Sequence, residues 1–299
     1  MEKIYRQQVS LLLGVLPEVA KEKSFALHGG TAINLFVRNM PRLSVDIDLT
    51  YLPIEERETS LSNIAEALKR IQANIEKVIT GVRITPRLDA GKLQVSSSGI
   101  DIKIEVNLVN RGTLAAPQDM LLCEKAQTTF EAFCVMPVVP SGQLFGGKIV
   151  AALDRQHPRD LFDVKYLLDE EGFTEDVKKG FLLCLLCSDR PISEVIKPNF
   201  QDQRSAHANQ FAGMSNEPFS YEDFEVTRVR LIKTINAVLT NEDKRFLLSV
   251  KEVNPDWNIY DFQRFPSINW KLQNLQKLKM NNPEKHKEQY ALLKEKLNN

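Results

Sequence analysis

Apolar and polar residues alternate strictly over residues 44–50. Val45, Ile47 and Leu49 face one way and Ser44, Asp46, Asp48 and Thr50 the other, the period of a half-buried strand. The same period recurs over 100–109, where Ile100, Ile102, Ile104, Val106 and Leu108 oppose Asp101, Lys103, Glu105 and Asn107. Residues 92–95 predict a partner strand, joined to it by a hairpin loop of Ser96, Ser97, Ser98 and Gly99. A helical period replaces the alternation elsewhere. It predicts an amphipathic helix over 3–20, a second over 59–78, and a short one over 31–38 that Pro41 ends. Two more follow over 143–155 and 159–168, broken at Pro158. Beyond Gly172 the chain reads as mostly helical: 174–188, 221–238, 241–250, and 267–296 with a split near Pro283. Residues 111–140 read as irregular and 199–217 as a long polar loop. Together these elements predict an α+β fold. A mixed α/β domain over 1–170, with a largely antiparallel or mixed sheet and flanking helices, precedes a mostly helical domain over 171–299.

Composition narrows the class. At 299 residues the chain fits two domains, and 43% hydrophobic with 26% charged residues is the balance of a globular protein. No apolar run approaches a membrane span, the longest being 181–187, and the first residues carry no cleavable secretion signal. The expected compartment is the cytoplasm. Cys123, Cys134, Cys184 and Cys187 follow no zinc spacing and read as buried free thiols. A formal net charge of zero argues against general affinity for nucleic acid. Local basic patches remain open, from Arg228, Arg230 and Lys233 or from Lys271, Lys277 and Lys279.

The candidate chemistry begins at Gly29, Gly30 and Thr31. Glycine lets backbone N–H groups approach phosphate closely, and a helix start favours anions. Asp46 and Asp48 then share one face of a strand, roughly 6–7 Å apart along it. Such carboxylates repel unless a cation lies between them, and all-oxygen donors suit Mg²⁺ completed by substrate phosphates. An ordinary turn followed by two solvated aspartates is the structural alternative. A third carboxylate, for metal or for the acceptor's proton, is available as Glu105 or Asp101. Lys148 and Arg155, seven apart, share one helix side suited to triphosphate. Asp160 and Asp163, three apart, lie early in the next helix, on its surface. Arg42 either contacts phosphate or holds an aspartate. His28, in an apolar run, reads as a packed, hydrogen-bonded residue.

The run GGTAINL followed by PRLSVDIDL resembles the GG(T/S)AL…R-x-(S/T)-x-D-x-D signature of the AbiEii/AbiGii-type nucleotidyltransferases. These belong to the DNA polymerase β-like superfamily and supply toxins of type IV toxin–antitoxin and abortive-infection systems. Lys103, Ile104 and Glu105 are similar to the family's K-I-E. Lys148, five residues and then Asp154-Arg155 are similar to K-x(4–5)-(T/D)-R, and Asp160-Leu161-Phe162-Asp163 to D-x-x-D. The four motifs run in order over 29–163. The resemblance implies a polymerase β-like nucleotidyltransferase domain that transfers NMP from an NTP with Mg²⁺ or Mn²⁺. It implies nucleotide contacts from Gly29, Gly30, Thr31, Arg42, Ser44, Lys148 and Arg155, and metal held by Asp46, Asp48 and Glu105. Those three, Lys148, Asp160 and Asp163 form the implied catalytic set. The implied acceptor is tRNA, and the implied partner an antitoxin encoded nearby. A protein or small-molecule acceptor, or a nucleotide- or partner-binding module without turnover, are the competing readings.

Overall fold

The computed structural model of the chain describes residues 3–298. Contacts divide it into two compact units. Unit 1 is Met1–Pro140 with Phe211–Pro218, and unit 2 is Ser141–Gln210 with Phe219–Asn299.

Unit 1 is built on seven strands: β1 (Phe25–His28), β2 (Asp46–Tyr51), β3 (Val82–Arg87), β4 (Lys92–Ser97), β5 (Ile100–Asn107), β6 (Gln118–Leu121) and β7 (Val135–Val138). They form one sheet in the order β3-β4-β5-β2-β1-β7-β6. β2 pairs parallel with β5 and β1 parallel with β7, while the other neighbours are antiparallel, so the sheet is mixed. Its apolar rows are those of the sequence pattern. Ile47, Leu49, Ile102, Ile104, Val106, Leu93 and Val95 are buried. They are covered by α1 (Lys3–Val19) and α3 (Arg57–Val78), whose own buried residues, Leu12, Leu16, Ile64, Leu68, Ile71 and Ile75, recur at helical spacing. Between β1 and β2 lies α2 (Gly29–Ala32), which continues as a π-helical turn over Ile33–Val37.

Three short elements occupy residues that read as irregular: β6, β7 and α4 (Glu124–Phe130). The two strands have four residues each and β7 contains Pro137, so neither carries a legible period. β3 carries Pro86 and a largely exposed row, and gives no strand signal either.

Unit 2 is helical. Its members are α5 (Ser141–Asp154), α6 (Pro158–Asp169), α7 (Glu175–Leu186), α8 (Ile192–Ile196), α9 (Arg204–Ala206), α10 (Tyr221–Val238), α11 (Asn241–Lys251), α12 (Pro266–Asn281) and α13 (Pro283–Asn298). α5 packs on α7 at glycine: a Cβ on Gly146 or Gly180 would collide with the facing helix backbone. That packing groups α5 and α6 with the helices that follow, whereas the sequence reading sets its boundary after residue 170. Residues 204–211, read as loop, form α9 and a π-helical turn over His207–Phe211. Among the described residues no helix is long and apolar enough to cross a membrane.

Candidate active site

The sheet of unit 1 sets two acids side by side and a third next to them. Asp46 and Asp48 lie two apart on β2, so both leave the sheet on its polar face. On one side, β5 runs parallel with Asp46 opposite Lys103 and Asp48 opposite Glu105. On the other, His28 of β1 stands opposite Asp48. All three acids are half-buried.

The glycine pair makes room for this arrangement. Gly29 has φ +75°, a left-handed conformation, and a Cβ there would collide with the Asp48 carboxylate. A Cβ on Gly30 would sit 2.8 Å from both the Arg42 guanidinium and the Ser44 hydroxyl. Thr31 is fully buried, and its hydroxyl donates to the Asp46 carbonyl oxygen at 2.5 Å. It therefore ties the first helical turn to β2. Arg42 is 2% exposed and donates from Nη1 to the Leu43 carbonyl oxygen at 2.8 Å. His28 Nδ1 lies 3.0 Å from the Thr50 hydroxyl, a packed, hydrogen-bonded histidine.

Glu105 shares the face and register of the aspartates, but its carboxylate pairs with Lys92 at 2.9 Å. Asp101 is exposed and takes a hydrogen bond from Ser96. Among the described residues no group of three or more histidine, cysteine or acidic side chains is gathered to hold a metal. Asp46 and Asp48 nevertheless fit Mg²⁺. They offer only oxygen donors, from one strand face, in the number a magnesium ion takes when phosphates and water complete its shell.

Unit 2 holds the second group. Lys148 on α5 meets Asp160 at 2.9 Å and Asp163 at 3.0 Å, both on α6. The spacing of three on α6 lets the two carboxylates close on one ammonium. The aspartates are not on the helix surface, as the sequence pattern implied. Each is 1% exposed, and Lys148 is 6% exposed. Arg155 adds two hydrogen bonds to Asp160, Nε at 2.6 Å and Nη2 at 3.0 Å, from a side chain largely in solvent. Burial pushes the Asp160 carboxyl up, but Lys148 and Arg155 outweigh it and hold the group well below the usual carboxylate range. Asp154, the other acid of this motif, binds Arg190 at 2.8 Å.

Sequence reasoning missed Gln156. It is buried, has φ 50°, and lies between the two helices of this group. It donates to the Asn199 carbonyl oxygen at 2.8 Å and accepts from Gln201 N at 3.1 Å and Arg228 Nη1 at 3.1 Å. A lone glutamine in a turn carries no sequence signal for that role. The suggested basic patches are largely committed elsewhere. Arg228 is buried over Phe200, Arg230 binds Asp169, and Lys271 donates to the Ser188 and Arg190 carbonyl oxygens. The cysteines are free, and burial pushes the thiols of Cys134 and Cys187 up to about 11.

The family model for the nucleotidyl transferase AbiEii toxin of type IV toxin–antitoxin systems matches residues 10–274. The chain belongs to that family and is a nucleotidyltransferase of the AbiEii type. Its fold is similar to that of MenT4, a nucleotidyltransferase toxin from Mycobacterium tuberculosis H37Rv. The TM-score is 0.58 at 14% identity, over 91% of this chain and 93% of that one. A provisionally assigned nucleotidyltransferase from H. pylori is also similar, with a TM-score of 0.47 at 14% identity over 81% of this chain and 100% of that one. No curated protein matches the chain.

Proposed function

We propose that this protein transfers NMP from an NTP to the acceptor end of tRNA with Mg²⁺ or Mn²⁺, and acts in the cytoplasm as a toxin countered by an antitoxin encoded nearby. The observation that carries the chemistry is the pair Asp46 and Asp48, presented on one sheet face with Asp48 seated against Gly29. Asp46 and Asp48 would hold the divalent ion, with Glu105 as a further ligand or as the base for the acceptor hydroxyl. When bound, the ion neutralises phosphate charge and lowers the barrier to displacement at phosphorus. The acceptor hydroxyl oxygen forms a bond to the α-phosphorus, the bond to the β-phosphate oxygen breaks, and pyrophosphate leaves. In its role as base, Glu105 takes the hydroxyl proton after releasing Lys92. Gly29 and Gly30 offer backbone N–H groups to phosphate, and Thr31, Arg42 and Ser44 fix the shape of that turn. Lys148 contributes a point charge toward phosphate, its position held by Asp160 and Asp163, with Arg155 beside it.

Incubation with each α-labelled NTP, in turn with total tRNA, total protein or small aminoglycosides, tests the acceptor. Label is expected on tRNA in a divalent-ion-dependent reaction. Label on protein or on the small molecules alone moves the acceptor to that class, and label nowhere removes the transfer reading. Expression of the chain alone in a bacterium is expected to arrest growth, and co-expression of the adjacent reading frame to relieve it. Harmless overexpression without the partner contradicts the toxin role.

A further inference from the structure

The loop that leads into β2 is completed by a segment from much later in the chain. Residues 38–45 form no helix and no strand of their own apart from one isolated bridge. That bridge pairs Arg42 with Ser215 in antiparallel fashion. The Met214 carbonyl oxygen accepts a hydrogen bond from Leu43 N at 2.7 Å, and the Ser215 hydroxyl donates to the Pro41 carbonyl oxygen at 3.0 Å. Leu43 is fully buried, so its amide has no water to turn to if Met214 withdraws. The segment Phe211–Pro218 belongs to the same compact unit as the sheet, and Phe211 and Met214 are its buried anchors.

We propose that Met214 and Ser215 are positioning residues for Asp46 and Asp48. By fixing residues 41–44 they keep Arg42 and Ser44 packed on Gly30, and they fix the point at which β2 enters the sheet. That entry point matters because a slip of one residue turns both aspartates onto the apolar face. The inference rests on the proposed transfer reaction, but its structural half stands independently of activity.

The test uses the full-length protein and hydrogen exchange read by mass spectrometry on a peptide covering residues 41–46. Met214→Ala is expected to speed exchange there by about tenfold or more, while peptides from β4 and α7 stay unchanged. Met214→Leu, which restores the buried volume, is expected to return exchange to the parent rate. In parallel, Met214→Ala is expected to lower kcat by about tenfold or more, with KM for NTP nearly unchanged, because misplaced groups lose rate before binding. If Met214→Ala does not fold, Ser215→Ala removes a single hydroxyl and is read on the same peptide, with an expected increase of about two- to threefold. Unchanged exchange in a folded Met214→Ala protein, or in Ser215→Ala where only that variant folds, overturns the proposal. So does faster exchange with unchanged kcat. A parent protein that transfers no nucleotide overturns the reaction instead, and the exchange measurement still decides whether the segment holds the loop.

Discussion

Asp46 and Asp48 stand half-buried on the polar face of a sheet, whereas Asp160 and Asp163 are each 1% exposed and close on Lys148 from two sides. The first pair keeps part of its surface open to solvent on the sheet face it shares with Glu105. The second group balances its own charge with Lys148 and Arg155. A buried ion pair returns little net stability, because desolvation offsets most of its attraction, but losing one partner is costly. The internal group therefore holds Lys148 in one place, while the half-buried sheet pair is the one proposed above to take the metal ion. Substitutions in the two groups should consequently fail in different ways.

The largest effect is expected from Asp46→Asn. Transfer should be lost, while the thermal midpoint stays within about 2 °C of the parent, since a half-buried carboxylate is replaced by a polar group of the same shape. Lys148→Ala comes next and should show both failures. Losing the ammonium proposed above to serve phosphate should slow transfer by roughly 10²-fold. Leaving Asp160 and Asp163 buried together costs about 3 kcal/mol, measured by denaturant unfolding. Lys148→Arg need not rescue, because the wider guanidinium has to fit between two carboxylates already at hydrogen-bonding distance from a point charge. A Lys148→Ala protein with parental stability would erase the contrast between the groups.

Acid should separate them in the parent protein. The Asp160 carboxyl is held below its unfolded value, so its stabilising contribution is complete above about pH 4 and fades as pH falls through the folded value. Hydrogen exchange below pH 4 should therefore loosen α5 and α6. In Asp160→Asn that acid dependence should shrink. A buried cation without a carboxylate supplies the smallest test. Lys251 is buried, bonds Gln289 at 2.7 Å, and makes no ion pair among the described residues. Burial first, and Lys271 second, lower its ammonium to about 8. The folded state thus favours the neutral amine, and stability should rise as pH climbs from about 8 toward about 10. Lys251→Met should raise the thermal midpoint at neutral pH and flatten that rise.

Much of this was legible in the sequence, for a physical reason. The alternation over 44–50 and 100–109 fixes which residues share a face, so Asp46, Asp48 and Glu105 come to the polar side of the sheet once β2 and β5 pair. The spacing of Asp160 and Asp163 likewise put both on one side of their helix, but that this side meets Lys148 came only from the structure. Their burial was not legible, because polar residues early in a helix look the same whether they meet water or a lysine. β6 and β7 were hidden by their length and by Pro137. The Lys92 partner of Glu105 and the hold of Met214 on Leu43 depend on tertiary register, which no local period encodes.

Nucleotidyl transfer is proposed to take place at the β2 aspartates. It is tested most directly by following α-labelled NTP into tRNA with purified parent and Asp46→Asn proteins, both shown to be folded, at matched divalent-ion concentration. Time-dependent labelling is expected from the parent, abolished by chelation and absent in Asp46→Asn. Equal labelling by the two proteins would contradict that assignment.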